Sequence, residues 1–148
     1  MEIHEIRRYR RALRQFQRIA RVQLNNCCCG VTLPQCLVLL EIDEHGHMTM
    51  GQLSSNLKLD LSTLSRTVDN LVAKKFVARL RDEGDRRLVW IRLTEDGVST
   101  CNEIHKVNDE NCLNIFNNIP QSERDSMIRN FEALIQAYLD HETSIEEG

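Results

Sequence analysis

Apolar side chains near the start of the chain recur at steps of three and four residues, which is the period of an amphipathic helix. The stripe consists of Ile6, Tyr9, Leu13, Phe16 and Ala20. Seven arginines lie on the remaining faces between Arg7 and Arg21, and the residues at 25–30 (NNCCCG) break the pattern. The pattern therefore predicts a long N-terminal helix with one apolar side and many positive charges.

Two Thr-x-x-Gln sequences mark the starts of the next two helices. In such a capping box, the threonine and the glutamine reciprocally satisfy free N–H groups at a helix N-terminus. Thr32 with Gln35 predicts a second helix over about 33–44. Thr49 with Gln52 predicts a short third helix.

A fourth helix is predicted over about 62–75, after a turn at 58–60. Its apolar residues follow the helical period and are Leu64, Val68, Leu71 and Val72. Its other face carries only short or hydrogen-bonding side chains, namely Ser62, Thr63, Ser65, Arg66, Asp69 and Asn70. The third and fourth helices therefore form a helix-turn-helix with a polar second helix.

Two runs rich in β-branched and aromatic residues follow, FVARLR at 76–81 and LVWIRLT at 88–94. The turn-forming sequence DEGDRR joins them, so the pattern predicts a hairpin with a basic tip. Met48 is also interpreted as a strand residue. Thr94 then caps a long fifth helix to about Asn117, and Pro120 begins a sixth helix whose apolar stripe is too wide for a lone surface helix.

Length and composition indicate a single globular domain. The chain has 148 residues, of which 41% are hydrophobic and 28% charged. The sequence has no apolar run of the roughly 18–20 residues that a membrane span needs, and its start lacks the apolar stretch of a secretory signal. We therefore expect a cytoplasmic protein with reduced thiols. The expected fold class is mainly α with a small β hairpin (α+β).

Charge is distributed unevenly along the chain. Residues 58–92 carry nine Lys and Arg against five acids, whereas residues 94–148 carry three against twelve. The net charges are +2 for residues 1–57, +4 for the middle and −9 for the last segment. A positive middle segment indicates a polyanionic partner there.

The middle segment has the pattern of a double-stranded-DNA reader. The second helix of a helix-turn-helix can enter the major groove, and a following hairpin can act as a wing. The candidate DNA contacts are Ser62, Thr63, Ser65, Arg66 and Asn70 on the helix, with Arg86 and Arg87 at the wing tip. A polar helix face is otherwise simply a solvated face, so the interpretation depends on the wing and the positive charge beside it.

The run LSSNLKLDLSTLSRTVDNLVAKKFVARLRDEGDRRLVWIRLTEDG resembles the winged helix-turn-helix of the MarR family of transcriptional regulators. The matching motifs are Leu-Ser-x-x-Leu, Ser-Thr-x-x-Arg-x-Val-Asp-x-Leu, the Asp-Arg-Arg of the wing and Leu-Thr-x-x-Gly after it. The resemblance implies a single domain over 1–148, with a winged lobe at 31–93 and dimerisation helices at 1–26 and 94–148. It further implies a homodimer on a pseudo-palindromic operator, with half-sites about 10 bp apart, and a wing aspartate, Asp85, that pairs with an arginine.

Sulfur is concentrated outside the predicted DNA reader. Four of the six cysteines lie within residues 27–36, and two lie on the fifth helix. In the MarR family the effector site typically lies around helices one, two and five, so the resemblance makes these residues effector candidates. They are Cys27, Cys28, Cys29, Cys36, Cys101 and His105. For Cys36 and Cys112 core packing is favoured over a sensing role, because both lie among apolar residues and free cysteine is commonly buried.

Four functional alternatives are open at this stage. The last two, an enzyme and a pure protein-interaction module that would show no salt-dependent DNA affinity, are the least favoured. The first is a repressor whose thiols respond to a soft metal or metalloid (zinc, copper(I), arsenite) or to an oxidant, with no required cofactor. The second is a MarR-type repressor of a small aromatic or phenolic ligand, with incidental cysteines. An enzyme is not favoured, because no nucleophile and base occur at a recognisable spacing. The effector, the sign of regulation and the operator are not predicted.

Overall fold

The computed structural model describes residues 2–24, 29–85 and 87–146. Within these ranges the chain forms six helices and a three-stranded antiparallel sheet, which confirms the α+β class. The elements in chain order are α1 (Ile3–Leu24), α2 (Leu33–His45), β1 (His47–Thr49), α3 (Met50–Leu57), α4 (Leu61–Ala73), β2 (Val77–Arg81), β3 (Val89–Leu93), α5 (Glu95–Phe116) and α6 (Gln121–Glu146). None of these helices is long and apolar enough to cross a membrane.

The predicted hairpin is the β2–β3 pair, with Val77 opposite Leu93 and Arg81 opposite Val89. The element order expected from the sequence contained no third strand, although Met48 was interpreted as a strand residue. In the structure β1 pairs with the other edge of β3, so that Met48 lies opposite Ile91 and β3 is central. A segment of three residues has too short a pattern to predict, because its pairing partner lies more than 40 positions further along the chain.

The hydrophobic core lies between α2, α3, α4, the sheet and the first half of α5. Its largest fully buried side chains are Leu39, Ile42, Leu53, Leu64, Leu71, Ile91 and Ile104. The predicted inward residues of the fourth helix, Leu64, Val68 and Leu71, all have no exposed surface. Burying each such side chain contributes about 1.5–3 kcal/mol, which fixes the orientation of α4.

The chain divides into two compact units, residues 1–106 and residues 107–148. The first contains the helix-turn-helix and the sheet. The second contains the C-terminal half of α5 and all of α6. Its apolar side chains Leu113, Ile128 and Ile135 remain 43–62% exposed in the single chain.

Candidate nucleic-acid interface

The turn between α3 and α4 is built by local capping. The Thr49 hydroxyl accepts from the backbone N–H of Gln52 at 3.2 Å, and the Gln52 side chain accepts from the Thr49 N–H at 2.8 Å. Lys58 ends α3 in the left-handed conformation, with φ 51°. The predicted capping box is thereby confirmed, and α3 is fixed at both ends.

Asp60 is the N-cap of α4 and organises the start of its polar face. Its carboxylate accepts from the Thr63 N–H at 2.9 Å and from the Thr63 hydroxyl at 2.7 Å. The Ser62 hydroxyl donates to the same carboxylate. These bonds, led by the one from Ser62, hold the pKa of Asp60 well below its usual range. Ser62 and Thr63 therefore lie where the sequence predicted, but in the unliganded chain their hydroxyl protons are committed to Asp60.

The exposed face of α4 presents the guanidinium of Arg66 and the side-chain amide of Asn70. Arg66, Asp69 and Asn70 are exposed, and Ser65 is half-buried. Arg66 and Asn70 are four positions apart, so they are neighbours on one side of the helix. Because the opposite face is locked into the core, this side is directed outward as a rigid surface that fits the dimensions of a major groove.

An ion pair connects α4 to the sheet. Arg79 on β2 donates to the Asp69 carboxylate at 2.7 Å, with both side chains partly exposed. An exposed pair contributes at most about 1 kcal/mol, so its main effect is to orient α4 relative to the hairpin. The local sequence pattern does not predict this contact, because ten residues and a turn separate its partners.

The wing loop is organised by Asp82, another residue that the sequence did not single out. Its carboxylate accepts from the N–H groups of Gly84 at 2.8 Å and Asp85 at 2.9 Å, and from the Trp90 indole at 2.9 Å. These bonds, the Trp90 bond first, lower the pKa of Asp82. Asp82 thereby ties the loop to β3.

Asp85 holds the wing tip through the backbone. Its carboxylate accepts from the N–H of Arg87 at 3.0 Å, and the Arg87 side chain is exposed. The expected pairing of Asp85 with an arginine side chain stays a prediction. Arg86, the other candidate DNA contact of the wing, lies outside the described residues.

The C-terminal end of α4 contacts residues that directly follow the clustered cysteines. The Lys74 ammonium donates to the Gly30 carbonyl at 2.7 Å and to the Gln35 amide oxygen at 3.2 Å. The same amide oxygen accepts from the Thr32 N–H at 3.1 Å, and Gln35 is buried. We name Gly30, Thr32, Gln35 and Lys74 the Lys74 junction.

The start of α5 also meets the end of α4. The Thr94 hydroxyl donates to the Lys75 carbonyl and accepts from the Gly97 N–H at 3.1 Å, which confirms Thr94 as the cap of α5. A Cβ atom at Gly97 would lie 2.0 Å from the Phe76 carbonyl oxygen. The Leu-Thr-x-x-Gly motif therefore encodes a cap and a close backbone approach.

The described cysteines differ strongly in environment. Cys36 is buried, Cys29 is half-buried with φ 66°, and Cys112 is exposed. Cys101 has no exposed surface, and its thiol donates to the Leu39 carbonyl at 3.7 Å. Burial, together with the nearby Asp43 carboxylate, raises the pKa of Cys101 to about 11. Cys27 and Cys28 lie outside the described residues.

The proposed pairing of Cys101 with His105 around one ion is not formed in the structure. The His105 ring meets the Asp43 carboxylate at 3.0 Å, whereas Cys101 points into the core. In the described ranges no group of three or more His, Cys, Asp or Glu residues is placed to hold a metal ion. This geometry favours a packing role for Cys101.

Cys101 should resist thiol reagents in the folded protein. Its pKa of about 11 leaves almost no thiolate at pH 7–8, so we expect labelling of Cys112 at least tenfold faster, measured by iodoacetamide and peptide mass analysis. Unfolding in urea should make the labelling rates of Cys101 and Cys112 equal. Equal labelling of both thiols in the native state would contradict the burial argument.

The raised pKa of Cys101 also affects stability. Because the folded-state pKa lies above the ordinary value of 9.0, the free energy of unfolding should fall as pH rises from 9 towards 11.

The arrangement of the lobe matches known proteins. The sequence model of the MarR family matches residues 31–89. The multiple antibiotic resistance protein MarR of Salmonella typhimurium is 36% identical over 76 residues, which are 51% of this chain and 53% of that protein. A MarR family protein from Bacillus stearothermophilus superimposes with a TM-score of 0.84 and 26% identity over 94% of this chain and 99% of that one. Residues 31–89 of the chain match the MarR family, and the fold is that of a MarR-family protein.

Two further similar proteins bear on function. A mutant of MarR from E. coli, solved in complex with operator DNA, matches with a TM-score of 0.72 and 25% identity over 90% of this chain and 99% of that one. The organic hydroperoxide resistance transcriptional regulator of Bacillus subtilis is 39% identical over 69 residues, 47% of each chain. The chain aligns with about half the length of the curated relatives it matches. The aligned part of the family model runs from the start of α2 to the start of β3.

Proposed function

We propose that this chain is a sequence-specific double-stranded-DNA-binding transcriptional regulator that acts as a repressor. The observation that carries the proposal is the face of α4 with Arg66 and Asn70, held outward by a buried opposite face and flanked by a wing with an exposed Arg87. The E. coli relative solved with operator DNA has the same fold, which supports this assignment. Binding a duplex in this way requires no cofactor and no catalytic group.

The proposed working state is a homodimer that places two α4 helices on a pseudo-palindrome. Exposed apolar residues on α1 and on the second unit support this assembly, since Ile3, Ile19 and Leu113 are 50–62% exposed in the single chain. An apolar surface of this kind usually marks an interaction site. Two reading helices separated by about one turn of DNA would recognise both half-sites together.

Selection from a random duplex library tests the proposal directly. The full-length protein should enrich a pseudo-palindromic sequence and bind it at least about a thousandfold more tightly than a scrambled duplex at physiological salt. The affinity should also fall steeply between 50 and 200 mM salt because phosphate contacts release counterions. Equal affinity for all duplexes, or none, would refute a sequence-specific regulator.

We further propose that thiols in the 27–29 segment switch this DNA affinity. The Lys74 junction supports the idea, because it ties Gly30, directly after the cysteines, to the C-terminal end of α4. A soft metal or metalloid, or an oxidant, that rearranges the cysteine segment would change this contact and with it the position of α4. Coupling of about 1–3 kcal/mol would change the operator affinity 5–150-fold. The relative named for organic hydroperoxide resistance makes an oxidant a reasonable first probe.

Two sets of substitutions separate sensing from its transmission. With Cys27, Cys28 and Cys29 changed to serine, we expect operator affinity to remain but its response to zinc, arsenite or peroxide to disappear. Lys74→Met should leave the thiols reactive and reduce the response, because the bond to Gly30 is lost. Lys75→Met is the matched control. If the triple serine variant responds like the wild type, the cysteines are incidental, and a small aromatic ligand becomes the favoured effector.

A further inference from the structure

The first turn of α4 offers a ligand different hydrogen bonds from the second turn. Ser62, Thr63 and Arg66 are all exposed. Arg66 follows Thr63 by three positions and Ser62 by four, so the three side chains are neighbours on the outward side of the helix. The guanidinium of Arg66 carries N–H donors and has no acceptor. What the two hydroxyls offer beside it depends on Asp60.

Asp60 takes up the protons of both hydroxyls. Its carboxylate is ionised, because the hydrogen bonds it accepts, the one from Ser62 first, hold its pKa well below the usual range. An ionised carboxylate accepts hydrogen bonds and cannot donate them. The hydroxyls of Ser62 and Thr63 therefore each donate their single proton to Asp60. Only oxygen lone pairs remain, so both hydroxyls can accept a hydrogen bond from a ligand but cannot donate one to it.

A turn that only accepts hydrogen bonds suits base edges better than phosphates. Phosphate oxygens are acceptors, and a hydroxyl that turned to one would leave the exposed Asp60 carboxylate with one bond fewer beside a second anion. In the major groove, N6 of adenine and N4 of cytosine are donors, whereas O6 of guanine and O4 of thymine are acceptors. A serine or threonine hydroxyl ordinarily bonds to either kind of group. With the proton held by Asp60, only the amino group remains as a partner.

We propose that Asp60 is a positioning residue that makes the first turn of α4 select bases with an exocyclic amino group, adenine and cytosine, through the oxygens of Ser62 and Thr63. The inference rests on the DNA binding proposed above and deepens it. Arg66 in the next turn has the opposite requirement, since its donors pair with N7 and O6 of guanine. A hydroxyl oxygen that recognises only an amino group accepts A and C on one strand and rejects G and T, whereas Arg66 selects one base.

Removing each hydroxyl locates the base pairs that it contacts. Ser62→Ala and Thr63→Val should each change the preference at one or two base pairs of the half-site that the wild type selects. At those pairs the wild type should bind duplexes with A or C on one strand at least about fivefold more tightly than duplexes with G or T there. Fluorescence anisotropy on all single-base-pair variants of the selected duplex measures this preference.

Asp60→Asn should change the preference while keeping the helix cap. Asparagine caps a helix as well as aspartate does, and its oxygen can still accept from the Thr63 N–H as the carboxylate does. Its amide nitrogen would replace the oxygen that accepts from the Thr63 hydroxyl, and would donate to that hydroxyl instead. The Thr63 proton is then released. At the base pair located by Thr63→Val, the preference for A and C should fall to within about twofold or reverse towards G and T.

Glu83→Gln is the matched control, because it removes the same charge from an exposed position of the wing loop. Its base preference should equal that of the wild type. Circular dichroism establishes that Asp60→Asn retains its helix content. If it does not, Asp60→Ser, which also keeps a capping side chain, takes its place.

The outcomes separate this inference from the proposed function. An operator selected by the wild type whose base preference is unchanged in Asp60→Asn would overturn the inference alone, as would G or T at the located base pairs. Unchanged binding of Ser62→Ala and Thr63→Val would also overturn it. Equal weakening of these two variants on all duplexes would overturn it as well, and would assign the hydroxyls to phosphates. If the wild type selects no sequence, the proposed regulator fails with it.

Discussion

Replacing Arg66 with alanine should reduce operator affinity by at least about thirtyfold while leaving the fold intact. Arg66 is exposed on the outward side of α4, four positions before Asn70. A bidentate arginine contact to guanine contributes about 1–3 kcal/mol of discrimination, and a dimer loses it at both half-sites. Because 1.4 kcal/mol corresponds to a factor of ten, the combined loss of about 2–6 kcal/mol amounts to roughly one and a half to four orders of magnitude. Fluorescence anisotropy on the selected duplex measures it.

The selectivity of the Arg66 variant matters as much as its affinity. If Arg66 reads a base, Arg66→Ala should lose preference at that base pair, whereas Arg87→Ala in the wing should weaken binding to all duplexes alike and lower the salt dependence. Arg8→Ala on α1 is the matched control and should bind normally. Full affinity and unchanged base preference in Arg66→Ala would mean that α4 is not the reading helix.

The starts of helices α3 and α5 could be predicted because their determinants are local. The Thr49–Gln52 box and the Thr94 cap each act over three residues, so a single sequence contains all the information. The same signal is present before α4, since Asp60 stands three positions before Thr63, whereas the start of this helix was predicted at about 62 without the cap. The cap matters for the candidate site, because the Asp60 carboxylate accepts hydrogen bonds from the hydroxyl groups of two candidate DNA contacts, Ser62 and Thr63.

Contacts between distant positions were not accessible to the same reasoning. Lys74 meets Gly30 across 44 positions, and this contact exists only because α2 and α4 pack on one core. The contact between Asp82 and Trp90 could be predicted only if the register of β2 and β3 were known. Periodicity defines which face of an element is buried, but it carries no information on which buried faces meet.

The surroundings of the cysteines also depend on contacts between distant positions, which the sequence pattern does not predict. From the sequence, Cys101 and His105 share one side of a helix and could bind one ion together. In the structure the core takes up the thiol of Cys101, while the imidazole of His105 reaches the Asp43 carboxylate on α2. Two residues one helical turn apart can therefore face different surroundings. The sensing role of the 27–29 segment stays a proposal. The response of the triple serine variant to zinc, arsenite or peroxide tests it.

Gly97→Ala should destabilise the protein by about 3 kcal/mol, within the upper range for forcing extra atoms into a packed site. The new methyl group would lie 2.0 Å from the Phe76 carbonyl oxygen and 3.0 Å from its carbon. That carbonyl cannot retreat easily, because it accepts from the Thr94 N–H at 3.0 Å. Relief therefore requires the N-terminal turn of α5 to move away from Phe76, the residue directly before β2. Alanine gains about 1 kcal/mol over glycine inside a helix, which offsets only part of the cost.

Urea unfolding of Gly97→Ala beside Gly51→Ala separates the close approach from ordinary helix propensity. Gly51 also lies in a helix, but a Cβ there would meet only the Thr49 hydroxyl at 3.9 Å. Gly51→Ala should therefore be neutral or more stable by up to about 1 kcal/mol. Opposite signs for two identical substitutions would locate the cost at the α5–β2 approach. If Gly97→Ala were as stable as the wild type, the helix start must already be free to shift. The glycine of the Leu-Thr-x-x-Gly motif would then have no steric role.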